Sequence, residues 1–273
     1  MRRLIHTSLL LVFSFFLFVG CDHQNDTKMN DDSKPKSEMN EDEKQDLTEA
    51  EMDEVETEAP VKETQQDAKQ GNTNQVAANP ASIAVLVNKQ YALPENYHPN
   101  DLVYPEVPFL FEEKIEKRMM RSEAASALES LFAGAKKESI HLAGVSAYRS
   151  HATQTSLFDR YVERDGMEKA KRYSAVPGHS EHETGLAIDV SGSDGRCAVE
   201  DCFADTEEAV WLANHAWEYG FIIRYPQGKE EITGYQYEPW HLRYVGLDIA
   251  KEIQQSGKTL EEYSQTISTS KEK

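Results

Sequence analysis

The sequence predicts an α+β fold, a small and largely antiparallel sheet flanked by helices. Three observations predict it. Short apolar runs of β character are interleaved irregularly with amphipathic segments of helical period. No regular strand–helix alternation carries a glycine-rich phosphate turn, which removes a parallel nucleotide-binding sheet. All three tryptophans fall within residues 81–273, a span of one ordinary domain.

The elements follow in order. Ile83–Val87 reads as a short strand, and the Pro- and Tyr-rich stretch through Pro108 as a surface wrap. Glu113–Lys137 reads as a helix, with Ile115, Met119, Ala127, Leu128, Leu131 and Ala135 approximating one apolar face. Ile140–Tyr148 has strand character. Thr153–Arg172 is helical with an interruption at Gly166, and Gly185–Val190 is a strand. Thr206–Tyr219 is an amphipathic helix, Phe221–Arg224 and Tyr237–Val245 are strands, and Leu247–Gln254 and Leu260–Ile267 are closing helices.

The 273-residue chain carries 48 acidic and 29 basic side chains, a formal charge of −19. Residues 22–80 hold 17 acidic against 6 basic residues and almost no aromatic or branched apolar side chains. Such a segment buries too little surface to offset its ordering entropy, so residues 21–80 read as an acidic disordered tether. Within it, Leu47–Val55 could form a helical patch. The acidic excess and the lack of any basic run after Arg3 exclude nucleic acid as a partner.

Arg2 and Arg3 followed by the apolar run Leu9–Val19 have the layout of a secretory signal, too short for a stable membrane span. Phe18-Val19-Gly20-Cys21 resembles a bacterial lipobox. Residues 1–20 are therefore expected to be a lipoprotein signal peptide, with Cys21 lipidated and the domain held at the extracytoplasmic face of the bacterial membrane. Outside the cytoplasm, Cys197 and Cys202 are expected to form a disulfide; a zinc pair is the rival, without a matching second pair.

One constellation carries chemistry. Ser180-Glu181-His182-Glu183-Thr184-Gly185-Leu186-Ala187-Ile188-Asp189 sets a histidine and an aspartate seven apart, and Glu238-Pro239-Trp240-His241 follows about fifty residues later. A catalytic zinc needs three protein ligands and an open position, and His182, Asp189 and His241 supply that set. Proline between Glu238 and His241 disfavours a helix there, but an extended or turning backbone can still present both to one metal, the imidazole as ligand and Glu238 as proton acceptor from the bound water. His141, His151 and His215 read as surface or packing residues, and His179 as structural or supporting.

The pattern SxHxxGxAxD followed by ExxH resembles the VanY-type zinc D-alanyl-D-alanine carboxypeptidases. Matching segments are Ser146–Ser150, Pro177–Val190, Gly220–Pro226 and Glu238–Gly246, and the likeness is nearest the lipid-anchored LD-carboxypeptidases of Bacillus type. The resemblance implies a single zinc-peptidase domain of the hedgehog/D-Ala-D-Ala-peptidase type over residues 81–273. It implies Zn as cofactor and peptidoglycan stem peptides as substrate, with Glu238 and Arg149 catalytic. Gln154, Ser180, Tyr225 and Trp240 match substrate-binding positions. Glu183 departs from the Gln of many relatives and adds charge beside a ligand. LD-cleavage of tetrapeptides is favoured; DD-cleavage of pentapeptides, an endopeptidase, or a non-catalytic zinc-containing cell-wall binding module are the alternatives.

Overall fold

The computed structural model describes residues 75–76 and 79–271. Ala68–Lys273 form one compact unit. The expected signal peptide, Cys21, the Leu47–Val55 patch and nearly all of the tether lie outside the described residues. No helix among the described residues is long and apolar enough to cross a membrane.

Among the described residues there are eight strands: β1 (Gln75–Val76), β2 (Tyr91–Ala92), β3 (Leu102–Val103), β4 (Met120–Arg121), β5 (Leu142–Ser146), β6 (Ala187–Gly192), β7 (Phe221–Tyr225) and β8 (Glu238–Tyr244). The α-helices are α1 (Ser122–Lys137), α2 (His151–Asp165), α3 (Met167–Tyr173), α4 (Glu207–His215), α5 (Glu230–Thr233), α6 (Leu247–Ser256) and α7 (Leu260–Lys271). The central sheet has the order β5-β6-β8-β7 and is antiparallel throughout. Two small two-stranded sheets, β1-β2 and β3-β4, precede it in sequence.

Alternation along the central strands gives the sheet two different faces. On one, Ile188 and Val190 of β6, Trp240, Leu242 and Tyr244 of β8, and Phe221 of β7 join Leu128, Leu131 and Leu212 of α1 and α4 in the main apolar core. Each such side chain contributes about 1.5–3 kcal/mol by leaving water. The intervening residues, Asp189, His241 and Arg243, are equally buried on strands β6 and β8 but are not part of that core. A second cluster of Ile222, Val245, Ala250, Ile253 and Leu260 seats α6 and the start of α7.

Most elements match the expectation. Gly166, at φ +82°, separates α2 from α3, and Ser150 caps α2 by accepting from the Thr153 amide. The disulfide Cys197–Cys202 is formed, with Cα atoms 5.5 Å apart. Two elements differ. The helix expected from Glu113 begins only at Ser122, because the preceding backbone is used elsewhere. Carbonyls of Lys117 and Met119 accept from Ala147 and Tyr148, and β4 pairs with β3. Ile115 is consequently exposed. Ile83–Val87 forms no strand, because guanidinium donors take its carbonyls in place of a ladder. Arg243 donates to Ile83 and Val85, and Arg224 donates to Val87.

Candidate metal centre

His182 lies in a short 3-10 turn, Glu181–Thr184, that ends at Gly185 in the left-handed region (φ +69°) and feeds directly into β6. Asp189 sits two positions into that strand and is paired in register with His241 of β8. Hydrogen-bonded neighbours on one face of a sheet are thus what bring two residues 52 apart in sequence together. His182 Nε2 lies 3.3 Å from Asp189 Oδ2, and His241 Nδ1 lies 3.0 Å from Asp189 Oδ1. The two rings meet edge to face, 5.0 Å between centroids.

The chemistry of this set suits a cation. His182 Nδ1 is 2.7 Å from the Ala147 carbonyl, which can only accept, so the ring proton sits on Nδ1. Nε2 then presents its lone pair to a buried carboxylate. With the ring neutral, those two electron-rich atoms are brought together by a positive charge between them, which a metal ion would supply. A tetrahedral zinc with ligands at about 2.0–2.1 Å would place its donor atoms about 3.3 Å apart, close to the spacing observed. Donor atoms of all three residues lie within 4.8 Å of one another, so the residues present fit the metal.

The titration behaviour agrees. Burial, aided by the nearby Arg149 charge, draws the His182 pKa down despite the attraction of Asp189, which favours the neutral ring that a metal ligand needs. Burial also disfavours charge on His241, yet the hydrogen bond to Asp189 and the nearby Glu181 carboxylate outweigh it and raise the pKa to about 10. The carboxylates around His241 therefore stabilise a positive charge at this point. Glu238 Oε2 is 3.8 Å from His241 Nδ1, and its side chain, 25% exposed, is the most accessible of the group. Burial, with Asp189 and Glu181 nearby, pushes the Glu238 carboxyl up to about 7 against the pull of His241.

The remaining expected residues are placed as follows. Arg149 is half-buried; its backbone amide donates to the His182 carbonyl at 3.3 Å, and its Nη1 donates to Gln154 Oε1 at 2.9 Å. Gln154 Nε2 donates to the Ala175 carbonyl at 2.7 Å, so Gln154 is committed to holding Arg149 in plane. Ser180 caps the 3-10 turn in a reciprocal box with Glu183. Tyr225 is buried, with its ring 5.0 Å from His241 and 4.5 Å from Tyr235. Trp240 points to the opposite face of β8, into the main core, and is not beside the metal ligands.

Glu183, the departure from the common Gln, accepts from the Gly178 amide and pairs with His151 Nδ1 at 2.8 Å. His151, expected only to pack, thereby helps hold the loop before His182. His179 anchors to the Asn88 carbonyl at 2.6 Å, the structural role expected of it. Sequence reasoning assigned nothing to Glu181, Arg224 and Arg243. All three side chains are fully buried, with Glu181 Oε1 accepting from Arg224 Nε at 2.7 Å and from Arg243 Nη1 at 2.6 Å. A signal was available: a buried arginine in each of the strands FIIRY and EPWHLRY needs a buried counter-charge.

Comparison with known proteins identifies a family and a fold. Residues 117–247 match the family described as VanY, D-alanyl-D-alanine carboxypeptidase. The chain is 54% identical over 189 residues to carboxypeptidase YodJ of Bacillus subtilis (strain 168), covering 69% of each chain. The solved structure of the LdcB LD-carboxypeptidase aligns with a TM-score of 0.69 at 52% identity, covering 73% of this chain and 93% of that one. A vancomycin-resistance D,D-pentapeptidase VanY variant in complex with Zn(II) aligns with a TM-score of 0.53 at 33% identity, covering 66% and 97%.

Proposed function

The chain belongs to the VanY family of D-alanyl-D-alanine carboxypeptidases, and from that premise we propose that it removes the C-terminal D-alanine of peptidoglycan stem peptides, with tetrapeptides and LD-cleavage favoured. It is a zinc metallocarboxypeptidase, and the convergence of His182, Asp189 and His241 with Glu238 alongside is the observation that carries this reading. The 52% identity to LdcB, against 33% to the D,D-pentapeptidase, supports the LD preference. DD-cleavage of pentapeptides is the second reading, favoured by the family description.

His182, Asp189 and His241 would hold the zinc. When bound, the metal supplies Lewis acidity to the scissile carbonyl and to the attacking water. Glu238 takes the proton from that water on a carboxylate oxygen and delivers it to the leaving amine. Its partly exposed position suits exchange with substrate, while the ligands behind it are dry. Arg149, kept in plane by Gln154, binds the substrate's terminal carboxylate with two parallel N–H groups. A free carboxylate at that position is what distinguishes a chain end from an internal bond. Tyr225 closes the wall beside His241.

The test is to incubate the purified protein with tetra- and pentapeptide stems and weigh the products. Loss of alanine from the tetrapeptide is expected, with Glu238→Gln reducing turnover about 10²–10⁴-fold while zinc content stays the same. No alanine released from either peptide by zinc-loaded protein would refute the reading. For localisation, we infer a lipid anchor at Cys21 after removal of residues 1–20, with residues 21–80 as spacer. This rests on the Phe18–Cys21 pattern. Cys21→Ala should shift the protein from the detergent to the aqueous phase; unchanged partitioning would remove the anchor.

A further inference from the structure

Glu181 precedes a metal ligand in sequence but faces the far edge of another. Its Oε1 is saturated by Arg224 and Arg243. Its Oε2 is buried without a hydrogen-bond partner, and so is His241 Nε2, which lies 3.6 Å away. Two unsatisfied polar atoms of complementary capacity thus face one another in a dry interior. On the opposite edge of the same ring, Nδ1 lies 3.0 Å from Asp189 Oδ1, which makes it the nitrogen of the donor set. A neutral imidazole carries one N–H, so Nδ1 can donate its lone pair only if the proton is on Nε2.

We propose that Glu181 is a positioning residue for His241, accepting the Nε2–H on its Oε2 and so reserving Nδ1 for the metal. The proposal rests on the metallopeptidase reading and adds to it. His182 is arranged in the reverse sense, with its Nδ1–H fixed by the Ala147 carbonyl and Nε2 in the donor set. The two ligating histidines therefore carry opposite tautomers, each set by a different acceptor. Glu181 is itself held by guanidiniums anchored on Glu261 and on the carbonyls of Ile83, Val85 and Val87. The irregular segment 83–87 becomes part of the support for the metal.

Glu181→Gln tests this. Guanidiniums only donate, so the amide oxygen must take the Oε1 place and the NH2 must face His241 Nε2. Donor then meets donor, and relief comes by moving the ring proton to Nδ1, the nitrogen the metal needs. Zinc affinity, measured by chelator competition, should fall about 10–100-fold while the circular dichroism spectrum is retained. In zinc-loaded wild-type protein labelled with 15N-histidine, NMR should show one metal-bound ring protonated at Nδ1 and one at Nε2. Zinc affinity of Glu181→Gln within twofold of wild type, or Nδ1–H on both ligating rings, would overturn the proposal. Should the variant fail to fold, the wild-type spectrum alone decides. Wild-type protein that takes up no zinc would defeat the metallopeptidase reading first, a result distinct from either of these.

Discussion

Glu261 and Glu262 are neighbours in sequence and opposites in environment, so the same isosteric change at each should separate buried from surface electrostatics. Glu261 Oε1 accepts from Arg224 Nη2 at 2.6 Å and from Asn88 Nδ2 at 3.1 Å, and Oε2 accepts from Arg224 Nη1 at 3.0 Å. The Arg224 side chain is 0% exposed. Glu261→Gln replaces one acceptor by an NH2 that meets only donors and leaves the guanidinium short of one negative charge. Breaking one side of a buried ion pair costs about 3–5 kcal/mol. For a domain of this size that is a fall in Tm of about 6–20 °C. Glu262 pairs with Lys229 at 3.2 Å with both side chains near 30% exposure. It also accepts from the Thr259 amide, a role the Gln oxygen keeps. Glu262→Gln should therefore cost about 0–1 kcal/mol. Urea unfolding of the zinc-loaded protein, followed by circular dichroism, compares the two directly. Equal midpoints, or a larger loss at Glu262, would refute the assignment of Arg224 as a charge stabilised by the interior.

Two further predictions concern the site and its surroundings. Arg149→Lys keeps the charge but loses the planar fork and the bond to Gln154, so kcat/KM for the stem peptide should fall ten- to hundredfold, about 1.5–3 kcal/mol. Steady-state kinetics checks this, and zinc content should be unchanged. Cys197→Ser opens a loop with a sequence separation of 5; loop-closure entropy puts the loss at about 2 kcal/mol, read as a lower urea midpoint under non-reducing conditions, with no difference from wild type once both are reduced.

The metal set was legible because its signal is local. His182 and Asp189 share one turn-and-strand segment, and Glu238 and His241 share another, so pairing two strands completes the site. What surrounds it was less legible because it depends on distant partners. Ile83–Val87 has the apolar content of a strand, but its carbonyls go to arginines about 140–160 residues away. The helix expected over Glu113–Lys137 was extended by periodicity past Ser122, where pairing of Met120–Arg121 with Leu102–Val103 outweighs helical propensity. Trp240 stands next to a ligand in sequence, yet strand alternation turns it to the other side of the sheet. Gln154 and Ser180 were expected to touch substrate; the bonds they make are to Arg149 and to the turn bearing His182.

The facing of Asp189 and His241 across β6 and β8 has a consequence for assembly. Side chains on a strand reverse direction at every residue, so slippage of either strand by a single position would turn one of these two ligands to the wrong side. Zinc capture is in that sense a proofreading event: the ion can be gripped only by chains whose β6–β8 ladder has already settled into the correct alignment.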